Sequence, residues 1–242
     1  MKNLVLCEGK TDAIVLSYYL FKKFGWEYNN RETKNPDRVS FKENSYETEF
    51  VYSRNGEDTY ILSVGGYNNF FSKIKRISNY LQNTNMQEAF DKLVILADKD
   101  DKDSDSVIKE FERYSCLNKI QVGNWTSKVF FDGYGESFNV DICLVLVPDS
   151  EEGAIETFLL NSIKELGEEE RIIVEESDKF IDNFDLNNYS IKSRDILKIK
   201  LSTTISIIDP EKTFSHIDDM IKSFNWIETD TVDQCFSPFG EL

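Results

Sequence analysis

Residues 92–97 (Lys-Leu-Val-Ile-Leu-Ala) form a nearly continuous apolar run that leads directly into Asp98. A strand with one face in water alternates apolar and polar residues, so an unbroken run predicts a central parallel strand that is buried on both faces. Residues 3–7 and 139–147 have the same character. Because helical patterns separate these runs, the sequence predicts an α/β fold with a mostly parallel sheet flanked by helices.

Further elements are predicted around these strands. Asn55-Gly56 separates two alternating runs, 47–53 and 59–64, which is typical of a β-hairpin. Residues 27–46 are polar and lack periodicity, which predicts a loop or insertion. Amphipathic stretches predict helices over about 11–24, 67–81, 104–117, 151–166 and 213–224.

The composition changes after Gly167. Residues 165–178 contain seven acids and one arginine, and a polar stretch follows. We therefore predict an α/β domain over residues 1–166, with an insertion at about 27–58, and a C-terminal extension over 167–242 that packs on this domain.

Several classes of protein are disfavoured by the sequence. A membrane span would need about 18 consecutive apolar residues, and the chain has no such run. Glu8 interrupts the first apolar run too early for the core of a signal peptide. The four cysteines are scattered without a CxxC pair and there is a single histidine, His216, so we expect a cytoplasmic protein without structural zinc.

Three carboxylates stand at the carboxyl ends of predicted parallel strands, the edge at which open α/β sheets bind ligands. Glu8 ends the first strand, and Asp98 and Asp100 end the central one. Glu156 lies about one turn into the helix after a further strand. Such oxygen ligands suit Mg²⁺ or Mn²⁺, and without a cation one carboxylate would have to hold a proton. The alternative is a solvated loop over 98–105 whose acids cap a helix.

The segment Glu8-Gly9-Lys10-Thr11-Asp12, followed some ninety residues later by Asp98-Lys99-Asp100, resembles the Toprim domain. That Rossmann-like fold occurs in topoisomerases, bacterial primases, ribosomal-RNA maturases and the overcoming-lysogenisation-defect (OLD) nucleases. The resemblance spans about residues 1–165, and Asp12 and Glu156 resemble acids of the OLD-like version. Asp101-Lys102-Asp103 depart from the small residue that many members have there, and no ATPase, zinc-ribbon or topoisomerase cleavage domain is recognisable.

The resemblance implies phosphoryl transfer on DNA or RNA that depends on Mg²⁺ or Mn²⁺. Asp98 and Asp100 would bind the cation, and Glu8 would bind it or act as general acid or base. A second ion on Asp12 and Glu156 would allow two-metal hydrolysis of a phosphodiester, as in a small nuclease.

Basic residues supply candidate phosphate contacts. Lys10 could stabilise charge that develops on the phosphate. A second basic cluster, Lys192, Arg194, Lys198 and Lys200, lies beside an apolar run, and OLD-like enzymes use a lysine downstream of the acidic motifs. We take Lys198 and Lys200 as the substrate-binding candidates, while the same lysines would also suit a solvated face of a helix or strand.

The net charge of −16 opposes direct binding of nucleic acid. Contact would need a local basic patch, bound metal ions or a partner protein. A second hypothesis is therefore a non-catalytic Toprim-fold scaffold or regulatory partner in a defence or nucleic-acid-processing complex, with a homodimer as a candidate assembly. A third is an enzyme that acts on small phosphate compounds.

Overall fold

The structure is a computed structural model that describes residues 1–29, 41–84, 88–184, 191–213, 215–222 and 224–242. Within these ranges the chain has an α/β fold, in which a seven-stranded sheet is flanked by helices and followed by a C-terminal helical extension. The strands are β1 (Lys2–Cys7), β2 (Glu27–Tyr28), β3 (Thr48–Arg54), β4 (Glu57–Ser63), β5 (Lys92–Asp98), β6 (Thr126–Phe131) and β7 (Ser137–Val147). The helices are α1 (Lys10–Phe24), α2 (Asn69–Asn83), α3 (Ser104–Phe111), α4 (Ile155–Lys164), α5 (Glu168–Asp182), α6 (Ser193–Ile208), α7 (Ile217–Met220) and α8 (Asp230–Phe236).

The strand order is β2-β3-β4-β1-β5-β7-β6. The four central strands β4, β1, β5 and β7 are parallel, and the outer strands pair antiparallel in hairpins. The predicted buried strand over 92–97 is therefore confirmed as an interior parallel strand, with β1 and β7 as its neighbours. Cys7 pairs with Leu96, so Glu8 and Asp98 reach the same edge of the sheet.

Both faces of the central strands are covered, which explains why their sequences do not alternate. In β1, Val5 and Cys7 face a core shared with α1 and α4. Leu4 and Leu6 face the opposite core, which is completed by α2 and α3. Every second side chain of a strand points to the same face, so both sets must be apolar.

The C-terminal extension packs on the first of these cores. Phe236 stacks on Phe158 of α4 with ring centroids 4.8 Å apart, and it meets Tyr19 of α1 edge-on at 5.1 Å. Trp226 and Phe239 are also fully buried in the same cluster. Large aromatic side chains dominate the energetics of such contacts, so the extension is joined firmly to the α/β layer.

Several boundaries differ from the sequence prediction. Helix α4 begins at Ile155 rather than at about 151, because Gly153 has a φ of +140° that no helical residue can adopt. Helix α3 ends at Phe111, and a single 3-10 turn over Ser115–Leu117 follows it. The helix predicted over 213–224 is wrong as a continuous element, since only the short α7 lies there among the described residues.

The predicted insertion at 27–46 contains the edge strand β2. Its residues 30–40 lie outside the described residues. Among the described helices, none has both the length and the apolar character that crossing a membrane requires.

Candidate functional site

Four carboxyl groups come together at the carboxyl edge of the parallel strands. Glu8 directly follows β1, and Asp98 is the last residue of β5. Asp12 lies in the first turn of α1, and Glu156 lies in the first turn of α4. Their exposed fractions are 1%, 1%, 2% and 4% respectively. Buried acids at this density need compensation by a cation or by protons.

Two of these acids also organise the start of a helix. The Gly9 N–H donates to Asp12 Oδ2 at 2.8 Å, and the Ile155 N–H donates to Asp98 Oδ1 at 3.0 Å. Helix N-termini carry unpaired N–H groups and a partial positive charge. Helices α1 and α4 therefore both direct their positive ends at the carboxyl cluster.

Asp100 lies at the rim of this cluster. Its backbone has a φ of +52° and pairs with Gly153 through two hydrogen bonds, from Asp100 N–H to Gly153 O at 2.7 Å and from Gly153 N–H to Asp100 O at 2.8 Å. The Asp100 side chain is half-buried, unlike the four acids inside. The loop after β5 is thus held against the loop before α4, and this pairing fixes where Asp100 stands.

The cation that contacts the cluster in the structure is Arg194, in the first turn of α6. Its Nη1 donates to Glu8 Oε1 at 2.6 Å, and its Nη2 donates to Asp98 Oδ2. The guanidinium therefore joins the ends of β1 and β5. In the sequence Arg194 belongs to a basic cluster, but no pattern there distinguishes it as a site residue.

Burial and mutual repulsion shift the protonation of the cluster. Burial, followed by the charge of Glu8, raises the pKa of Asp12 to about 7, although two backbone hydrogen bonds act in the opposite direction. Burial and the charges of Asp12 and Glu8 raise the pKa of Asp98, and Arg194 offsets part of this rise. Burial lowers the pKa of the Arg194 guanidinium, but Asp98 and Glu8 together hold it above its usual value.

Three carboxylate oxygens of the cluster are buried and have no hydrogen-bond partner among the described residues: Glu8 Oε2, Asp12 Oδ1 and Glu156 Oε2. Unpartnered buried acceptors of this kind are rare and costly. Hard oxygen donors at such density match the ligand preference of Mg²⁺ or Mn²⁺. In the part of the chain that the structure describes, however, no three His, Cys, Asp or Glu side chains adopt the geometry of a metal site.

The predicted lysines lie in different places. Lys10 is exposed at the first position of α1, two residues after Glu8. Lys200 pairs with Asp182 of α5 at 2.8 Å, and the exposed Lys198 lies 3.9 Å from Asp195. The described contacts of Lys198 and Lys200 are not with the carboxyl cluster. Arg194 of the same helix contacts the cluster instead.

Tyr67 follows Gly65-Gly66, and its position in the sequence is compatible with lining the site, although helix capping or core packing is the favoured interpretation. The Lys102 ammonium lies 3.9 Å from the ring centre of Tyr67, whose hydroxyl donates to Glu110 Oε2 at 2.6 Å. Burial and the bond to Glu110 raise the pKa of Tyr67, with smaller effects from Glu8 and Asp100. Tyr67 is therefore close enough to Glu8 and Asp100 for their charges to act on its hydroxyl.

Comparisons with known proteins add a family assignment. No curated protein matches the sequence of this chain. The crystal structure of a hypothetical protein from Pyrococcus horikoshii is similar at 15% sequence identity and a TM-score of 0.47, and the match covers 99% of this chain and 92% of that one. Residues 2–226 match the DUF3226 family, which is described as a protein of unknown function, and the chain therefore belongs to that family.

Proposed function

We propose that this chain is a divalent-metal-dependent enzyme that hydrolyses phosphodiester bonds of nucleic acid, with a site of the Toprim type. The observation that carries the proposal is the set of unpartnered carboxylate oxygens on Glu8, Asp12 and Glu156, buried at the carboxyl edge of a parallel sheet. A purely structural acid would be expected to have its oxygens hydrogen-bonded.

The negative charge of the cluster favours binding of a cation that carries more positive charge than Arg194. Among the described residues, Arg194 forms ion pairs with two of the four buried acids, Glu8 and Asp98, so its single positive charge leaves the cluster undercompensated. The residues that would hold Mg²⁺ or Mn²⁺ are Glu8, Asp12, Asp98, Asp100 and Glu156. Bound there, the cation would supply Lewis-acid activation of water and of the phosphate.

The chain's own residues would position the phosphate and move a proton. Exposed Lys10, at the N-terminus of α1, can contact a phosphate oxygen near the positive end of that helix. The free Oε2 of Glu8 can accept a proton from an attacking water, as a general base does. These roles extend the sequence-based hypothesis and are open to test by substitution.

A cleft that begins at Lys10 supports a polymeric substrate. It has a volume of about 890 Å³ and follows one face of α1 to Lys22, opposite Tyr28 and Phe50. Three lysines (Lys10, Lys22 and Lys222) and two acids (Glu27 and Asp218) are among its lining residues. A combination of aromatic side chains and lysines is typical of single-stranded nucleic-acid grooves, where bases stack and phosphates pair with the cations. Local positive charge of this kind would offset the repulsion from the net charge of −16.

The cysteines indicate the compartment that we propose. Cys7, Cys116, Cys143 and Cys235 are all free thiols, and burial raises the pKa of each. Thiols in this state suit a reducing cytoplasm.

A second candidate function is a non-catalytic scaffold or regulatory partner in a nucleic-acid-processing complex. The contact that favours it is the bridge from Arg194 to Glu8 and Asp98, which leaves a closed, purely protein-built site. In that case the net charge of −16 would attract a basic partner protein.

The test is a cleavage panel of supercoiled plasmid, single-stranded DNA and RNA, each with Mg²⁺, Mn²⁺ or EDTA. Wild type is compared with Glu8→Gln and Asp98→Asn, and with Asp101→Asn as the matched control, because Asp101 is an exposed acid of the same loop. Metal-dependent cleavage that is lost in the first two variants and kept in the third supports the enzyme. Cleavage in EDTA, or cleavage that survives in both site variants, contradicts it. Absence of cleavage together with absence of Mn²⁺ binding supports the scaffold.

A further inference from the structure

We propose that Arg194 is a built-in competitor of the divalent cation, so that metal loading of the site requires the first turn of α6 to release Glu8 and Asp98. The proposal rests on the proposed function, because it assumes that the carboxyl cluster binds a divalent ion. It adds an autoinhibitory contact that is made by the C-terminal extension.

Arg194 contacts two carboxylates of the cluster at once. The two terminal nitrogens of Arg194 bind Glu8 Oε1 and Asp98 Oδ2, which belong to neighbouring strands. The side chains of Glu8 and Asp98 are 2% and 0% exposed, whereas that of Arg194 is 38% exposed. The guanidinium therefore lies on the solvent side of both carboxylates and covers the pair. A cation that takes the same two oxygens must displace it.

A divalent ion differs from a guanidinium in charge and in coordination. A planar guanidinium offers donors in one plane and carries a single positive charge. With Arg194 in place, Glu8 Oε2 and Glu156 Oε2 stay without a partner among the described residues. A divalent ion has twice the charge and takes about six oxygen ligands. It can therefore bind oxygens that Arg194 leaves without a partner. These additional bonds favour replacement of Arg194 by the divalent ion.

Release of the two carboxylates by Arg194 can be a local movement of α6. Helix α6 is held by Leu201, Thr204 and Ile205, which are at most 4% exposed. Its first turn has no side chain as deeply buried as these among the described side chains, because Asp195 is exposed and Arg194 and Ile196 are only half-buried. Arg194 can therefore leave the carboxylates while the remainder of α6 stays packed. The first turn of α6 would therefore have one position when the site holds metal and another when it does not.

The experiment is calorimetric titration of Mn²⁺ into wild type, Arg194→Gln and Arg194→Lys at pH 8. The matched control is Lys198→Gln, which removes one positive charge from the same helix, one turn further on. We expect Arg194→Gln to bind Mn²⁺ roughly ten- to a hundredfold more tightly than wild type, because no charge-assisted hydrogen bonds have to break. Arg194→Lys should lie between the two, since a lysine keeps the charge but cannot bridge both carboxylates in one plane. Lys198→Gln should stay within about twofold of wild type, since Lys198 is exposed and its charge is screened by solvent.

A second readout is thermal unfolding of the same proteins. In EDTA, Arg194→Gln should unfold at a lower temperature than wild type, because the buried acids lose their counter-ion. Saturating Mn²⁺ should raise its unfolding temperature by more than it raises that of wild type. If Arg194→Gln does not fold in EDTA, the unfolding temperature of Arg194→Lys is compared with that of wild type instead.

The outcomes separate this proposal from the proposed function. Equal affinity in wild type and Arg194→Gln, weaker binding by Arg194→Gln, or equal tightening by Lys198→Gln would each overturn the exchange and leave the metal site intact. If Mn²⁺ binds to none of the four proteins, the metal site itself fails, and the proposed function fails with it. Binding to Arg194→Gln alone would support the exchange most strongly.

Discussion

Asp98 Oδ1 accepts a hydrogen bond from the Ile155 N–H at 3.0 Å, so one side chain joins the end of strand β5 to the start of helix α4. The other oxygen of the same carboxylate accepts from Arg194 of α6. One oxygen of Asp98 thus makes a structural contact, and the other is a candidate metal ligand. Substitutions at this position can separate the two roles.

Asp98→Ala should destabilise the protein by about 1–2 kcal/mol more than Asp98→Asn does, because only asparagine keeps an oxygen that can accept from Ile155. The comparison is urea unfolding of both variants in EDTA. Both variants should lose the stabilisation by Mn²⁺, since neither has a carboxylate at this position. Equal stability of the two variants would mean that the contact with Ile155 contributes nothing measurable.

Gly153→Ala should weaken both the fold and metal binding. Gly153 has a φ of +140°, and a Cβ atom there would meet Thr157 Oγ1 at 2.4 Å. Because Gly153 pairs with the backbone of Asp100, the strain would shift that acid. We expect a loss of roughly 1–3 kcal/mol of unfolding free energy and weaker Mn²⁺ binding. Gly133→Ala is the control, since open space surrounds Gly133, and an equal effect of both substitutions would contradict the argument.

The gathering of the acids could be predicted in part from the sequence. The apolar runs before Glu8 and Asp98 predict parallel strands of one sheet, and parallel strands bring their carboxyl ends to one edge. The structure has this arrangement, with Cys7 paired with Leu96. Periodicity alone did not predict that Asp12 and Glu156 would be as buried as Glu8, because burial depends on how α1 and α4 are set against the sheet edge.

Arg194 could not have been selected from the sequence. It is 186 residues from Glu8 along the chain. The basic cluster around it has four members, and all four lie among or next to apolar residues in the sequence. Which of them reaches the acids depends on where α6 begins and on its rotation against α4 and α5, which are tertiary properties. The choice of Lys198 and Lys200 therefore stays an untested prediction, and Lys200 pairs with Asp182 of α5.

The raised pKa of Asp12, about 7, predicts opposite effects of pH on stability and on metal binding. An Asp in an unfolded chain titrates near 4, so the folded state holds more protons between about pH 4 and 7 and loses stability as the pH rises through this window. In EDTA, wild type should lose on the order of 2 kcal/mol between pH 5.5 and 8 from this group, and Asp12→Asn should lose less.

Metal binding has the reverse dependence, because a cation must displace the proton that Asp12 holds. Mn²⁺ should therefore bind wild type at least about tenfold more weakly at pH 6 than at pH 8. Calorimetry in two buffers of different ionisation enthalpy measures the proton released. Binding that is independent of pH over this range, with no proton released, would show that Asp12 is ionised without metal.

The aromatic cleft beside α1 should bind a nucleic-acid strand through stacking, and Tyr28 is the side chain best placed to test this. It is 53% exposed, and its ring lies 5.5 Å from that of Tyr52. Tyr28→Ala should weaken binding of a fluorescent single-stranded oligonucleotide by about tenfold, since one base–aromatic stack contributes about 1–3 kcal/mol. Tyr134→Ala is the matched control, because Tyr134 is 90% exposed in the turn between β6 and β7 and is not among the cleft residues. Fluorescence anisotropy in EDTA measures the affinity without cleavage. Equal affinities of the two variants would exclude stacking on Tyr28 and direct the search for the substrate to another surface.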